Sequence, residues 1–482
     1  VVVAAGLDAV VGEHRRERCR HVARVDALDQ AIAGDLDVEE VRQLLAERRE
    51  QLVEARELAA GRRAEARAAA AEQKAQSTEG KIVAVEEQVQ AKPRTGDNRF
   101  NPAISLVLQG GFARYSEDPD DFHLEGMPLG GEAGLQDEGL SLWETELTAS
   151  ANIDNLFYGQ TTIGLHTHDG DIEVDIEEAF VDTLALPAGL GLRFGRFYSS
   201  VGYLNEKHTH AWDFADTPLP YQAFLGGQYR DDGVRASWVA PVDALFVELG
   251  AEALRGDSYP GGGSDDNFGN VTNLFANVGG DVGANNSWQL GLSRLEADVD
   301  DRSAGGHGHD HDHGDHGATF NGDSDLTVLD GVWKTDLGSE RALIIQGEYF
   351  WRDEDGRVSL EEDTGEAKFD YDGEQDGWYL QGVFQFNRQW RAGVRYDRLS
   401  ADNDLNMISN TTGEDDDEIF EESGYQSSSR DPDLWTAMVD WSPSEFSRVR
   451  LQYARDDSRE DTDNQVYLQY IMTLGAHGAH QY

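Results

Sequence analysis

From residue 101 onward the sequence falls into sixteen two-faced stretches whose connections alternate in length, and few folds can meet that constraint. The stretches run about 103 to 115, 139 to 153, 156 to 168, 171 to 184, 189 to 198, 229 to 239, 243 to 255, 271 to 280, 286 to 296, 325 to 335, 340 to 353, 377 to 387, 389 to 399, 433 to 442, 445 to 456 and 464 to 475. After even-numbered stretches the links are short, as at Asp154-Asn155, Asn387-Arg388 and Pro443-Ser444. After odd-numbered ones they are long, at 116 to 138, 199 to 228, 256 to 270, 297 to 324, 354 to 376 and 400 to 432, the third and fifteenth being exceptions. A soluble sandwich has no reason to sort loop length by parity. A closed antiparallel barrel with an even strand count, turns at one rim and loops at the other, does so by construction.

The side chains agree with that reading. Leu343, Ile345, Tyr349 and Trp351 oppose Ile344, Gln346, Glu348 and Phe350; Trp435, Ala437, Val439 and Trp441 oppose Thr436, Met438 and Asp440. Period two of this kind gives one face to lipid and one to water. Aromatics gather at stretch ends, among them Trp143, Phe157, Trp238, Trp288, Trp378, Trp390, Trp441 and Phe446, where interfacial girdles form. No window offers the roughly 20 consecutive apolar residues of a membrane helix. The low mean hydropathy of -0.58 is no obstacle to a barrel, because a spanning strand needs only about 9 to 11 residues with every second one apolar. A single cysteine, Cys19, rules out an intrachain disulfide framework.

Charge divides the chain. Residues 1 to 100 hold 17 Lys+Arg against 19 Asp+Glu, which leaves 23 against 73 of the chain's 40 and 92 for residues 101 to 482. So acidic a surface argues against a nucleic-acid partner. Residues 26 to 92, rich in Ala, Glu, Arg, Leu and Gln with no proline before Pro93, predict helix. Val38, Val41, Leu45 and Leu52, and again Ile82, Val85 and Val89, keep an a/d spacing that Arg48 and Arg62 interrupt. Residues 1 to 92 are therefore expected to be a helical, coiled-coil-like segment that makes the protein a homotrimer, or else a single exposed helix. Residues 93 to 100 are a linker and 101 to 482 the barrel. The opening VVVAAG does not read as an export signal.

The last stretch carries Val466, Leu468, Tyr470, Met472 and Leu474 on one parity, Gln465, Gln469 and Thr473 on the other, and ends at Tyr482. It resembles the closing strand of bacterial outer-membrane barrels. Together with GLGLRFGRFYSSVGYLNEKHTHAWDFAD, WSPSEFSRVRLQYARDD, YLQYIMTLGAHGAHQY and the preceding helix, the sixteen strands resemble the phosphate-selective porin O/P-like outer-membrane family. That resemblance implies an all-β, sixteen-stranded transmembrane barrel in bacterial outer-membrane lipid, a periplasmic N-terminal helix, and a passive channel for small ions or solutes that needs no cofactor. The family's lumenal arginine ladder and lysine cluster cannot be placed among 23 basic residues.

Parity sets Glu144, Glu146, Glu173, Asp175, Glu248 and Glu252 on the polar face with Arg193, Arg235, Arg391, Arg395, Arg448 and Arg450. They are candidates to line a pore with a transverse field, or to brace its wall by pairing. Segment 199 to 228 follows the fifth stretch and carries His208, His210, Asp213 and Asp216 among Trp212, Phe214, Pro218, Pro220, Tyr221 and Phe224. A wholly solvent-exposed loop has little use for so many apolar rings, so it is expected to fold inward as a constriction; the alternative is an outer loop resting on a neighbouring subunit. Residues 306 to 317, GHGHDHDHGDHG, place His307, His309, His311, His313 and His316 among aspartates, a set suited to Zn²⁺ or another divalent transition metal. It supports an alternative in which the barrel anchors a metal-capturing surface protein. His166 and His168 offer a second waypoint. No GxSxG, HExxH or P-loop is present, so no enzymatic role is expected.

Overall fold

The computed structural model describes residues 102–168, 171–262, 269–303, 318–362, 365–413, 415–427 and 430–475. The expected N-terminal helix and linker, the histidine tract and Tyr482 lie outside the described residues. The strands are β1 (Ala103–Arg114), β2 (Gly139–Leu142), β3 (Thr145–Asn152), β4 (Phe157–His168), β5 (Asp171–Thr183), β6 (Leu190–Tyr198), β7 (Arg230–Val239), β8 (Phe246–Leu254) and β9 (Val271–Val282). They continue as β10 (Asn286–Ser303), β11 (Ala318–Gly338), β12 (Arg341–Glu362), β13 (Gly365–Asn387), β14 (Trp390–Asn410), β15 (Asp433–Ser444), β16 (Ser447–Asp456) and β17 (Asp463–Gly475).

From β3 to β17 each strand pairs antiparallel with the next, and β1 closes on β17 from Ser105↔Gly475 to Arg114↔Val466. Segments β2 and β3 pair with successive parts of β1 and form one stave interrupted at Trp143 and Glu144. The result is a closed sixteen-stranded antiparallel barrel, as the sequence predicts. Closure leaves no open edge, the condition for a sheet to cross a membrane. Short turns such as 339–340, 388–389 and 445–446 make one rim.

A band around the barrel wears apolar side chains outward. Leu290, Leu329, Ile345, Leu380, Val394, Val439, Leu451 and Leu468 are all exposed, while Gln346, Gln381, Arg395, Thr436, Gln452 and Gln469 on the alternate positions are buried. Indole and phenol rings bracket the band. Tyr349 lies tilted against Trp351, and Trp378 meets Tyr396 edge-on, which in turn meets Trp435, at one edge; Trp390 and Trp441 meet at the other. This is the outer surface of a transmembrane barrel.

Strands β10 to β14 do not stop at the girdle. Of the segments expected as loops, 354 to 376 is almost wholly strand, 297 to 303 and 318 to 324 are strand, and 400 to 410 extends β14: β12 and β13 stay paired from Ala342↔Gln385 out to Glu362↔Gly365, and β14 reaches Asn410. Their sequences read as loop because Asp and Gly favour turns over strands. The pattern that keeps them extended is reversed from the band's. Asp353, Asp355, Asp370, Asp372 and Glu374 point out and are exposed, while Val358, Leu360, Phe369 and Tyr371 point in and are buried.

That inward apolar surface is covered by the long connections. Leu124, Met127 and Leu129 from segment 115–138, Ile419 and Tyr425 from segment 411–432, and Tyr221, Phe224 and Leu225 from segment 199–229 join one cluster with Phe320, Phe350, Val358, Leu360 and Phe369. Tyr371 meets Phe320 and Tyr425 edge-on, and Phe369 packs on Phe420 at 5.0 Å. Each such side chain contributes about 1.5 to 3 kcal/mol by leaving water. The extended strands and their loops thus form a collar with its own hydrophobic core.

Candidate functional site

Segment 199–229 leaves β6 and turns into the barrel. It carries helix α1 (Leu219–Leu225), every residue of which is buried. Pro218 and Pro220 fix the helix start, where an amide hydrogen is not needed. Gly226 ends it at φ 60, and a Cβ there would stand 2.6 Å from the Gly130 carbonyl oxygen. Glu348 on β12 pins the segment from below. Its carboxylate accepts from the Tyr203 amide at 2.9 Å, the Leu204 amide at 3.1 Å, and the Tyr221 and Tyr379 hydroxyls at 2.9 and 2.5 Å. Burial, then the Glu348 charge, push the Tyr221 phenol well above its ordinary range.

The segment then crosses between two walls of opposite charge. On the acidic side, His208 Nδ1 lies 3.1 Å from Glu146 and 3.2 Å from Glu177, its Nε2 lies 3.1 Å from Glu178, and His210 Nδ1 lies 2.6 Å from Glu146. Thr209 donates its hydroxyl to Glu144. Burial alone would lower the His208 pKa, but Glu146, Glu177 and Glu178 prevail and hold it well above the ordinary imidazole value.

On the basic side, Asp213 accepts from Arg391 at 2.8 Å, and Asp216 accepts from Arg395 at 2.8 Å and from Gln452 at 2.6 Å. The Trp212 carbonyl accepts from Arg450 at 2.8 Å and from Arg448 at 3.4 Å. Asp440 gathers the guanidiniums: Arg391 at 2.5 Å, Arg450 at 2.8 Å and Arg448 at 3.8 Å. The Arg395 head group also bonds Asp397 at 2.9 Å. The segment therefore presents imidazoles to carboxylates and carboxylates to guanidiniums.

The other lining candidates are placed as follows. Arg193 makes a two-pronged bond to Asp182 at 2.8 and 2.9 Å. Arg235 bridges Glu252 and Glu206, each at 2.6 Å. Glu173 pairs with His166 at 3.0 Å, and Asp175 bonds Arg230, which also holds Glu132. Glu248 is half-buried on the same parity of β8 as Glu252. Charges of both signs line the interior, and many brace it by pairing.

Sequence reasoning did not single out Glu177 and Glu178, which belong to adjacent, ordinarily opposite, parities. Between Thr162 and Ile163 the β4–β5 register skips Glu177, a bulge that turns both carboxylates inward. Nothing in the sequence marks that bulge. Asp397, Asp440 and Glu348 sit on the polar parity, but their roles as anchors for segment 199–229 depend on contacts across the barrel.

No family model matches the sequence. An uncharacterized protein of Aquifex aeolicus (strain VF5) is 31% identical over 414 residues, 80% of each chain. Among solved structures, the barrel is similar to outer-membrane expressed OmpT of Vibrio cholerae, with a TM-score of 0.46 and 11% identity over 77% of this chain and 97% of that one. It is also similar to the outer membrane channel DcaP of Acinetobacter baumannii, with a TM-score of 0.46 and 12% identity over the same shares.

Proposed function

We propose, for a chain that belongs to the same family as that uncharacterized Aquifex aeolicus protein, a passive diffusion channel for small ions or solutes across a bacterial outer membrane. The observation that carries this reading is a closed sixteen-stranded barrel, apolar outside and charged inside, with segment 199–229 held across its interior. A barrel of this size is wide enough to leave an aqueous lumen, and the inward segment narrows it. Short turns would face the periplasm and the collar the cell exterior. Selectivity for phosphate finds little support, because Arg193, Arg235, Arg391, Arg395 and Arg450 are each engaged by carboxylates.

Purified protein in a planar bilayer should show discrete single-channel openings. A barrel that inserts and stays silent at all voltages would overturn the channel reading. Trimer assembly through the N-terminal seam belongs to the same proposal and rests on the heptad spacing alone. The protein should migrate as a trimer in mild detergent, and removal of residues 1 to 92 should weaken the trimer while leaving the barrel intact.

A further inference from the structure

The geometry points to a binding site for a divalent first-row transition-metal ion inside the barrel, held by Glu146, Glu177 and His208. One donor atom from each lies within 4.8 Å of the others. His208 Nδ1 stands 3.1 Å from Glu146 Oε2 and 3.2 Å from Glu177 Oε2. Ligands about 2.0 to 2.2 Å from one tetrahedral ion are separated by about 3.3 to 3.6 Å, which these spacings approach.

The atoms converge without satisfying one another. Both Glu177 oxygens and His208 Nδ1 are buried and make no hydrogen bond of workable angle, and the Glu177 side chain is only 2% exposed. A buried carboxylate left in that state is costly unless a cation is supplied. Three carboxylates, Glu146, Glu177 and Glu178, face two imidazoles, and one negative charge remains even with both rings protonated. The nearby guanidiniums are committed elsewhere, Arg193 to Asp182 and Arg230 to Glu132 and Asp175.

The surroundings are those of a metal site rather than of an ion pair alone. His208 Nε2 faces Glu178 Oε2 at 3.1 Å, and Glu178 is itself fixed by Gln160 at 3.0 Å. A carboxylate on the far nitrogen holds one proton there, and an incoming ion takes the place of the proton on Nδ1, which is released to solvent. His210 does the corresponding service for Glu146, at Oε1, and leaves Oε2 for the ion. Two carboxylates and one imidazole suit zinc and its neighbours in the first row. The His208 side chain is 19% exposed, so the site opens to the lumen. This site shares no residue with the tract His307 to His316, and its occupancy is read by binding rather than by conduction.

The test uses the full chain with His307, His309, His311, His313 and His316 changed to Ala, so that the tract cannot compete. Titration with Co²⁺, followed by its visible absorption, and displacement by Zn²⁺ should show one retained equivalent. Glu177→Gln should weaken binding by more than about 100-fold and Glu178→Gln, an outer partner, by about 10- to 100-fold; Glu173→Gln, beside His166, should change nothing. Heat-dependent gel migration reports whether each variant has folded. Should Glu177→Gln fail to fold, zinc-edge X-ray absorption of the tract-free parent decides: one imidazole with oxygen ligands supports the site. Loss of all stoichiometric binding with the tract, unchanged affinity in Glu177→Gln, or a multi-imidazole zinc shell would overturn it.

Discussion

The membrane band and the collar are built from the same strands by opposite rules. Along β13, Leu380 points out to lipid and Gln381 in to the lumen, whereas a few residues further up Asp372 points out to water and Phe369 in to a packed core. The strand is one continuous ladder through both regions. What changes is the solvent on each side. A β-strand will therefore follow any alternation whose two faces both find a matching medium, and a chain can pass from membrane protein to soluble-like domain without a break in its hydrogen bonding.

The largest effect is expected where the collar's core is cut. Phe369→Ala should cost about 3 to 5 kcal/mol, read by denaturant unfolding of protein in lipid vesicles, with loss of order in the loops before loss of the barrel. A cost below about 1 kcal/mol would mean the collar has no real core. Next comes a charge on each outer face. Leu380→Arg should cost about 2 to 4 kcal/mol in the band, whereas Asp372→Arg in the collar should stay within about 0.5 kcal/mol. Equal tolerance would erase the boundary drawn at the Trp378 girdle.

A third measurement asks whether the inner segment belongs with the band or the collar. Asp216→Asn removes one of the two carboxylates bonded to the buried Arg395, leaving Asp397 and the residue-216 backbone carbonyl, and should weaken the hold on segment 199–229 by about 1.5 to 3 kcal/mol. Open-channel noise should rise and cation preference fall, even at high salt. In the unaltered protein, reversal potentials under a KCl gradient should show cation preference at low salt that fades as salt rises, because rim charge is screened within about 8 Å at physiological ionic strength. Anion preference at low salt would hand control to Arg391, Arg448 and Arg450.

The smallest effect is one of pH. Enclosure pushes the Glu206 carboxyl up, but Arg235 beside it prevails and holds it below the usual range. A depressed carboxyl contributes its stability fully above the unfolded value of about 4.3 and loses it as pH falls through the folded value. Channel noise should thus be flat from pH 7 to pH 5 and grow only in more acid solution. Glu206→Gln should abolish that growth, and noise that increased toward alkaline pH would contradict the assignment.

Much of this was legible in the sequence. The outward set on β17, Val466 to Leu474, and the inward Gln465, Gln469 and Thr473 follow from parity alone, because lipid and water impose a sign on every position. Strand ends were not legible in β10 to β14: the inward rings of Phe320, Phe369 and Tyr371 are sparse among Asp and Gly, and the loops that cover them come from distant parts of the chain. The aromatics of segment 199–229 announced an inward loop. Which carboxylate each of its side chains would meet did not follow, since such pairs are set by barrel closure and, at Glu177, by a bulge.

The height of the collar has a consequence for how the molecule can be tuned. From Trp351 at the girdle to Glu362 at the tip of β12, a strand rise of about 3.3 Å per residue and a tilt near 40° lift the mouth roughly 28 Å above the membrane surface. That is more than three screening lengths at physiological salt. Charge at the tip of β12 is thereby screened from the Trp351 girdle, so that rim and membrane band act like two stages in series. Mutation at the tip can change which ions gather at the entrance without altering the field within the membrane band.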